Sequence, residues 1–326
     1  MSQYLNLKCA EFIVTYRCNS HCKHCHLGTV KRAYRPAALT PELAQRAVRE
    51  LAEVYPMQYV MTFGGEPLLY PETVYAVHST AMECGIHGRT IITNVSFPAA
   101  EAEFREVAQN LVKCGVNSMC ISVDTFHQEY LPLAVVKQNA RLLVEAGIED
   151  LSWNVSWVVS PEADNPWDEG TRRILEELDD LNLPKDDIVV TPDGEALRYL
   201  AEYLPPQQPI PSGSCGDKPF TGRLDEVTSI TVEPDGSLTI CDDLMSIGNL
   251  HQGNAADFCE AYDPYQRPEL SLILQQGPAG LVSLARQRGI EPEPQGYRSV
   301  CEMCSQLRRA LASQQSNVVT ASAVMN

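Results

Sequence analysis

Three thiols fall within eight residues near the start of the chain, in the run Arg17-Cys18-Asn19-Ser20-His21-Cys22-Lys23-His24-Cys25. Cys18, Cys22 and Cys25 at this spacing can hold three irons of a 4Fe–4S cube, and no fourth Cys stands near them in sequence. Electron-transfer clusters are closed by four thiolates, so a cube held by three leaves one iron open to another ligand. The competing chemistry is zinc, because His21, His24 and His26 interleave with the thiols and could complete a tetrahedral site. About forty residues on, at the end of an apolar run, stands Gly64-Gly65-Glu66-Pro67. Glycines there let a ligand approach the backbone carbonyls closely.

Together the two motifs resemble the signature of the radical S-adenosylmethionine (radical SAM) enzymes: three cysteines with three then two residues between them, then a Gly-Gly-Glu-Pro-like turn after the next strand. The resemblance implies that the open iron chelates the methionine moiety of SAM and that Gly64, Gly65, Glu66 and Pro67 hold its amino group. It also implies that one electron passed into SAM yields a 5′-deoxyadenosyl radical, which removes hydrogen from a substrate. The protein's share of such chemistry is positioning, electron supply and exclusion of water. An external one-electron donor, such as a flavodoxin or ferredoxin, is an implied partner. The residue before the third Cys is usually aromatic in the family and packs near adenine; here it is His24, whose imidazole can stack.

The 326 residues can bury a substantial core, and the formal charge of −17 is spread along the chain. That charge repels phosphates, so neither nucleic acid nor an anionic membrane is an expected partner, whereas a basic peptide is compatible. No stretch is long and apolar enough to span a membrane, and Met1 to Phe12 lacks the form of a signal peptide, so a cytoplasmic location is expected. Twelve cysteines in such a protein point to metal or redox chemistry rather than disulfides.

Elements that could position these motifs are legible. Apolar or β-branched runs at Phe12–Tyr16, Tyr59–Phe63, Arg89–Thr93, Ser118–Val123, Leu151–Val159 and Ile188–Thr191 read as strands. Between them, helical patterns cover Pro41–Val54 (with Thr40 as N-cap), Pro71–Cys84, Ala99–Cys114, Leu133–Ala146 and Trp167–Leu181. Gly85, Gly115 and Gly147 stop three of them. Alternating strands and helices predict an α/β fold with a parallel sheet. The resemblance implies a partial (β/α)6 TIM-like barrel over residues 8–204. Strand counting alone leaves a flat doubly wound sheet open.

Parallel β/α folds build sites at the carboxyl ends of strands. The cysteine loop follows the first run and the glycine turn the second. Asn94 ends the third, where relatives often show Thr-Asn-Gly and use the Asn near the ribose; Val95 replaces that Gly here. Ser122 and Asp124 close the fourth on one face, which Cys120 shares. Asn154 lies on the fifth, where relatives contact the adenosine. With His24, these residues are the expected cofactor contacts.

After a Pro-rich linker (residues 205–211) come Cys215, a hairpin (Thr228–Val232 and Ser237–Ile240) with Gly236 in its turn, Cys241, a helical region Pro268–Arg288, and Cys301-Glu302-Met303-Cys304. This plan resembles the auxiliary-cluster domains called SPASM and Twitch. Residues 212–310 are thus expected to form a small auxiliary domain with a β-hairpin and a helix, and residues 311–326 a flexible tail. Cys215, Cys241, Cys301 and Cys304 suffice for a second, complete 4Fe–4S cluster or for a structural zinc.

The plan resembles peptide-modifying members, the epipeptide epimerases in particular, as does Ser122-Val123-Asp124-Thr125-Phe126-His127. The resemblance therefore implies a ribosomally made precursor peptide as substrate. In those enzymes a Cys directly after an auxiliary ligand returns hydrogen to Cα; here that position is Asp242, leaving Cys120 and Cys259 as candidate donors. The missing thiol favours an oxidative outcome, a crosslink or dehydrogenation, with Asp242 accepting a proton. Alternatives are Cα epimerisation, a small-molecule dehydrogenase and a non-catalytic zinc protein.

Overall fold

Six parallel strands cross the sheet in chain order: β1 (Leu5–Thr15), β2 (Tyr59–Gly64), β3 (Gly88–Thr93), β4 (Ser118–Ser122), β5 (Asp150–Trp157) and β6 (Lys185–Val189). The computed structural model describes residues 2–28, 38–96, 100–213, 215, 222–241 and 245–323. Crossovers are made by α1 (Pro41–Val54), α2 (Pro71–Glu83), α3 (Glu101–Lys113), the single turn α4 (Thr125–Gln128), α5 (Leu133–Ala146) and α6 (Pro166–Leu178). A doubly wound sheet reverses its strand order midway. Here consecutive strands are neighbours from β1 to β6, so the sheet is an open partial barrel.

Local signals account for the helices. The Thr40 side chain accepts from Leu43 N–H at the start of α1, whose Leu43, Ala44, Ala47, Val48 and Leu51 form the buried stripe. Gly85, Gly115 and Gly147 follow α2, α3 and α5 at φ of 73°, 91° and 97°, the left-handed conformation that glycine adopts most cheaply.

Non-local partners account for the departures. β1 starts at Leu5 rather than Phe12 because Leu5 and Cys9 pair with Val227 and Ser229 of β7 (Val227–Val232). β8 (Ser237–Thr239) and β9 (Ser246–Asn249) continue the sheet antiparallel. The hairpin is therefore an extension of the barrel sheet, and Phe12, Leu51, Ile230 and Leu281 share one hydrophobic cluster across the two regions. β6 is Lys185–Val189 rather than Ile188–Thr191; it ends the sheet, all five residues are exposed, and an edge strand needs no apolar run.

Farther along lie α7 (Ala196–Tyr199), α8 (Ala255–Glu260), α9 (Pro268–Gln276), α10 (Gly280–Gln287) and α11 (Val300–Ala323). The helical region Pro268–Arg288 is thus two helices, with Gly277 at φ 74° ending the first. The segment expected as a loose tail continues α11 to Ala323. Among the described residues no helix is long and apolar enough to cross a membrane.

Candidate active site

The cysteine loop leaves the carboxyl end of β1 and is held from several sides. Gly65 N–H donates to Thr15 O (2.7 Å) and Glu66 N–H to Arg17 O (2.8 Å). A Cβ on Gly65 would stand 2.0 Å from Arg17 O, so only glycine lets this turn close on the loop. From β3, Asn94 Nδ2 donates to Asn19 Oδ1 (2.8 Å) and lies 4.0 Å from Cys18 Sγ. From beyond β6, Glu195 N–H donates to Cys25 O (2.9 Å), and a Cβ on Gly194 would meet that oxygen at 2.4 Å. Gly194 is a site residue missed in the sequence; only its Asp-Gly turn after the last barrel strand could have flagged it. From α4, Phe126 packs on His24 (centroids 4.8 Å apart) and stacks on Trp167 (5.2 Å).

Within the loop, Ser20 Oγ lies 3.2 Å from Cys18 Sγ and 3.4 Å from Cys22 Sγ. Cys25 N–H closes a turn onto Cys22 O (3.1 Å). Burial pushes the Cys18 thiol up, with Ser20 opposing. An ionised sulfur there needs a cation to offset the loss of water, which a cluster iron would provide.

Two buried carboxylates are consumed in holding the strand ends. Glu66 Oε1 accepts from Leu68 N–H (2.9 Å) and Thr93 Oγ1 (2.7 Å), and its Oε2 accepts from Asn94 N–H (2.8 Å). Glu66, expected as a cofactor contact, ties the β2 turn to the end of β3, and its side chain caps the short turn that Pro67 opens. Asp124 Oδ1 accepts from Phe126 N–H (2.9 Å), His127 N–H (3.0 Å) and His127 Nδ1 (2.9 Å), while Oδ2 accepts from Ser156 N–H (3.2 Å). It is therefore the N-cap of α4 and a tie to β5. Burial alone would raise the Asp124 carboxyl, but His127 and the N–H donors hold it well below the ordinary range.

Burial opposes charge on His127, yet the Asp124 carboxylate hydrogen-bonded to it, and Cys22 after it, raise its ring well above the ordinary histidine value. Burial lowers His24 to about 4, so that ring is neutral. Its Nδ1 is buried without a hydrogen-bond partner, which leaves it an acceptor or donor for a ligand.

The remaining cofactor candidates line the strand ends. Ser122 and Asn154 are register partners on β4 and β5. Asn94 Oδ1 also accepts from Ser96 N–H (2.9 Å). Val95, in the place of the relatives' Gly, keeps a left-handed φ of 46°, a strain of about 1–3 kcal/mol for a side-chain-bearing residue. Its carbonyl is held by Asn139 Nδ2 (2.8 Å).

The two candidate donor thiols part company. On β4, Met119 and Ile121 face the helices, so Cys120 faces the barrel interior with Ser122, about 6–7 Å deeper. Burial raises its thiol, opposed by a hydrogen bond with Ser152. Cys259 is fully buried in the core on α8, and burial pushes its thiol up to about 12 with Tyr55 opposing. Asp242 lies outside the described residues.

Of the auxiliary thiols, Cys304 belongs to the hydrophobic cluster against which Cys215 and Cys241 pack. Cys301 and Cys304 sit one turn apart at the start of α11. A concavity of about 430 Å³ beside Trp157, Arg172 and Asp187 touches none of these candidates.

The family model described as the radical SAM superfamily matches residues 12–193, more than half of the chain. The chain belongs to the radical SAM superfamily. Membership implies a 4Fe–4S cluster and SAM, and the loop thiols (Cys22 buried, Cys18 and Cys25 partly so), the side-chain-free Gly65 turn and the orphaned His24 nitrogen fit them. Among solved structures this radical SAM chain is similar to a histidine-tagged anSMEcpe with bound AdoMet, with a TM-score of 0.54 and 13% identity over 96% of this chain and 95% of that one. It is also similar to "Native anSMEcpe with bound AdoMet and Cp18Cys peptide", with a TM-score of 0.52 and 13% identity over 96% and 99%. At these identities the likeness concerns the fold. No curated protein matches the chain.

Proposed function

We propose that this radical SAM enzyme modifies a peptide oxidatively and carries one auxiliary 4Fe–4S cluster beside the SAM-binding one. The observation that supports the reading is that Cys304 belongs to the same extended core against which Cys215 and Cys241 pack, with Cys301 a turn from Cys304. A structural neighbour with a bound peptide adds support for the substrate class. When bound, the two clusters and SAM supply a 5′-deoxyadenosyl radical and an acceptor for one electron. Cys18, Cys22 and Cys25 hold the first cluster, and the Gly64-Gly65 backbone receives the amino group of SAM. Neutral His24 stacks near adenine, and Asn94, Ser122 and Asn154 line the nucleoside. Glu66, Pro67 and Asp124 complete the proposed cofactor contacts, and Glu66 and Asp124 also tie the strand ends that carry the others. Residues 8–204 form the SAM-binding unit and 212–310 the auxiliary unit, whose hairpin extends the same sheet.

The substrate loses a hydrogen atom, then an electron and a proton, and ends lighter by two hydrogens. Asp242, next to Cys241, is the proposed proton acceptor, and a flavodoxin or ferredoxin the external donor. The test is a Cys301→Ala, Cys304→Ala double variant. It should still form 5′-deoxyadenosine but yield no product two hydrogens lighter; normal product from this variant would end the oxidative reading.

A second reading, Cα epimerisation, is favoured by one observation: Cys120 faces the barrel interior below Ser122 with a protonated thiol. It predicts a single solvent deuteron in the product, lost in Cys120→Ala. A small-molecule substrate predicts turnover with no peptide present.

A further inference from the structure

The sheet has an open edge at β6. Trp153 N–H donates to Pro184 O and Val190 N–H to Trp157 O, both at 2.8 Å, in a register that sets Trp153 opposite Lys185 and Trp157 opposite Val189. Alternate residues of a parallel strand bond to the same neighbour. Asp186 and Ile188 therefore bond to β5, while the main-chain groups of Lys185, Asp187 and Val189 point off the sheet. Among the described residues no other main chain pairs with those groups. The side chains of Ile188 and Val189 are exposed as well, 38% and 55%.

The two faces of this edge differ. On the helix side, Asp187 Oδ1 accepts from Trp157 Nε1 (2.7 Å), beside the concavity of about 430 Å³ between β6 and α6 that Trp157, Arg172, Leu175, Lys185 and Asp187 line. On the barrel side, Asp186 Oδ2 accepts from Ser152 Oγ, and Ser152 is the register partner of Cys120. A strand laid along β6 would send alternate side chains into the concavity and into the barrel. Extended peptides bind sheet edges in this way: main-chain bonds give affinity, and pockets for alternate side chains give selectivity. Charge selects among peptides. Around the concavity Glu176, Asp179 and Asp187 outnumber Arg172 and Lys185, which complements a basic segment. A second copy of this chain fits poorly, because antiparallel pairing about Asp187 would set two carboxylates opposite each other, and like charges so placed destabilise a sheet.

We propose that β6 is a docking edge: an extended, Lys- or Arg-bearing segment of the peptide substrate pairs with Lys185, Asp187 and Val189 as an added strand, its alternate side chains entering the concavity beside Trp157 and the barrel. The inference rests on the reading of the substrate as a peptide, and it adds where and in what conformation that peptide is held. Six residues beyond Val189, Glu195 N–H donates to Cys25 O, so a strand along β6 leads toward the cysteine loop.

The test uses the full chain, reconstituted anaerobically, and a fluorescein-labelled (Lys-Val)4 peptide followed by anisotropy. Saturable binding is expected, and no binding by (Glu-Val)4. Methylating every backbone nitrogen of the basic peptide keeps its charges and side chains but removes its N–H donors, and should abolish binding. Val189→Pro removes one outward N–H at a position where an edge strand accepts proline. One hydrogen bond is worth about tenfold in affinity, so this variant should bind about tenfold more weakly with its melting temperature little changed. In ¹⁵N-labelled protein, peptide should slow amide exchange at Lys185, Asp187 and Val189, whereas Asp186 and Ile188 are protected without it. Equal binding by the methylated peptide or by (Glu-Val)4 would overturn the inference, and so would edge amides that peptide leaves unprotected. Should Val189→Pro fold poorly, the methylated peptide tests the pairing on wild-type protein. A dimer that protects the same amides would also overturn it, by giving the edge to a second copy. Turnover of a substrate with no peptide bond would instead refute the substrate reading, while amide exchange reports on docking by itself.

Discussion

Gly65→Ala isolates the contact on which the site's geometry depends. The new Cβ would lie 2.0 Å from Arg17 O, where real Cβ atoms essentially never come within 3.0 Å, and both neighbours are backbone. The glycine turn and the cysteine loop must therefore part by about 1 Å or more. The two bonds that join them, at 2.7 and 2.8 Å, would stretch to about 3.7–3.8 Å and cease to be hydrogen bonds. Their loss costs roughly 1–3 kcal/mol. The larger effect is on catalysis, because a 1 Å misplacement can lower a rate about 100-fold. The assay is 5′-deoxyadenosine formation by reduced, reconstituted protein, alongside iron content and a thermal melt. Gly85→Ala is the control: φ is 73° and nothing lies within 4 Å of its Cβ, so it should cost about 1–2 kcal/mol of strain and leave cleavage unchanged. Wild-type cleavage by Gly65→Ala would refute the reasoning. Equal loss in both variants would reduce the effect to stability alone.

Replacing Cys18, Cys22 and Cys25 together by Ala should lower the iron from about eight to about four per chain and abolish 5′-deoxyadenosine; unchanged iron content would remove the cluster assignment. Glu11 accepts from Ser229 Oγ (2.8 Å) and Thr231 Oγ1 (3.5 Å) in the barrel interior, and burial raises its carboxyl above the ordinary value. A carboxyl raised on folding contributes stability that is full below its unfolded value and declines as pH climbs through its folded one. Glu11→Gln should therefore flatten the fall in melting temperature as pH rises above the ordinary glutamate value of 4.5; parallel curves for the two proteins would rule this out.

The chemistry was legible because its residues are contiguous: Cys18, Cys22 and Cys25 in one loop, and Gly64-Gly65-Glu66-Pro67 in one turn. Helix α1 was equally legible, since Thr40, Pro41 and the Leu43-to-Leu51 stripe are local signals. Such features need only a turn or two of chain to express their preference. The alternation of strands and helices likewise announced a parallel sheet, and three glycines marked where helices stop.

Tertiary structure decided everything that depends on which distant group lies opposite. Cys120 and Cys259 are the same residue type, yet one faces the barrel interior and the other fills the core. Glu66 reads only as a cofactor contact in sequence, and the fold adds its bonds to Thr93 and Asn94 at the end of β3. The packing of Phe126 on His24 joins residues about a hundred positions apart, and β7 finds β1 across more than two hundred. A buried polar group must find a partner, but the chain supplies many of equal chemistry. Only the packing of the sheet and its helices selects one, because that packing sets the distances at which hydrogen bonds form.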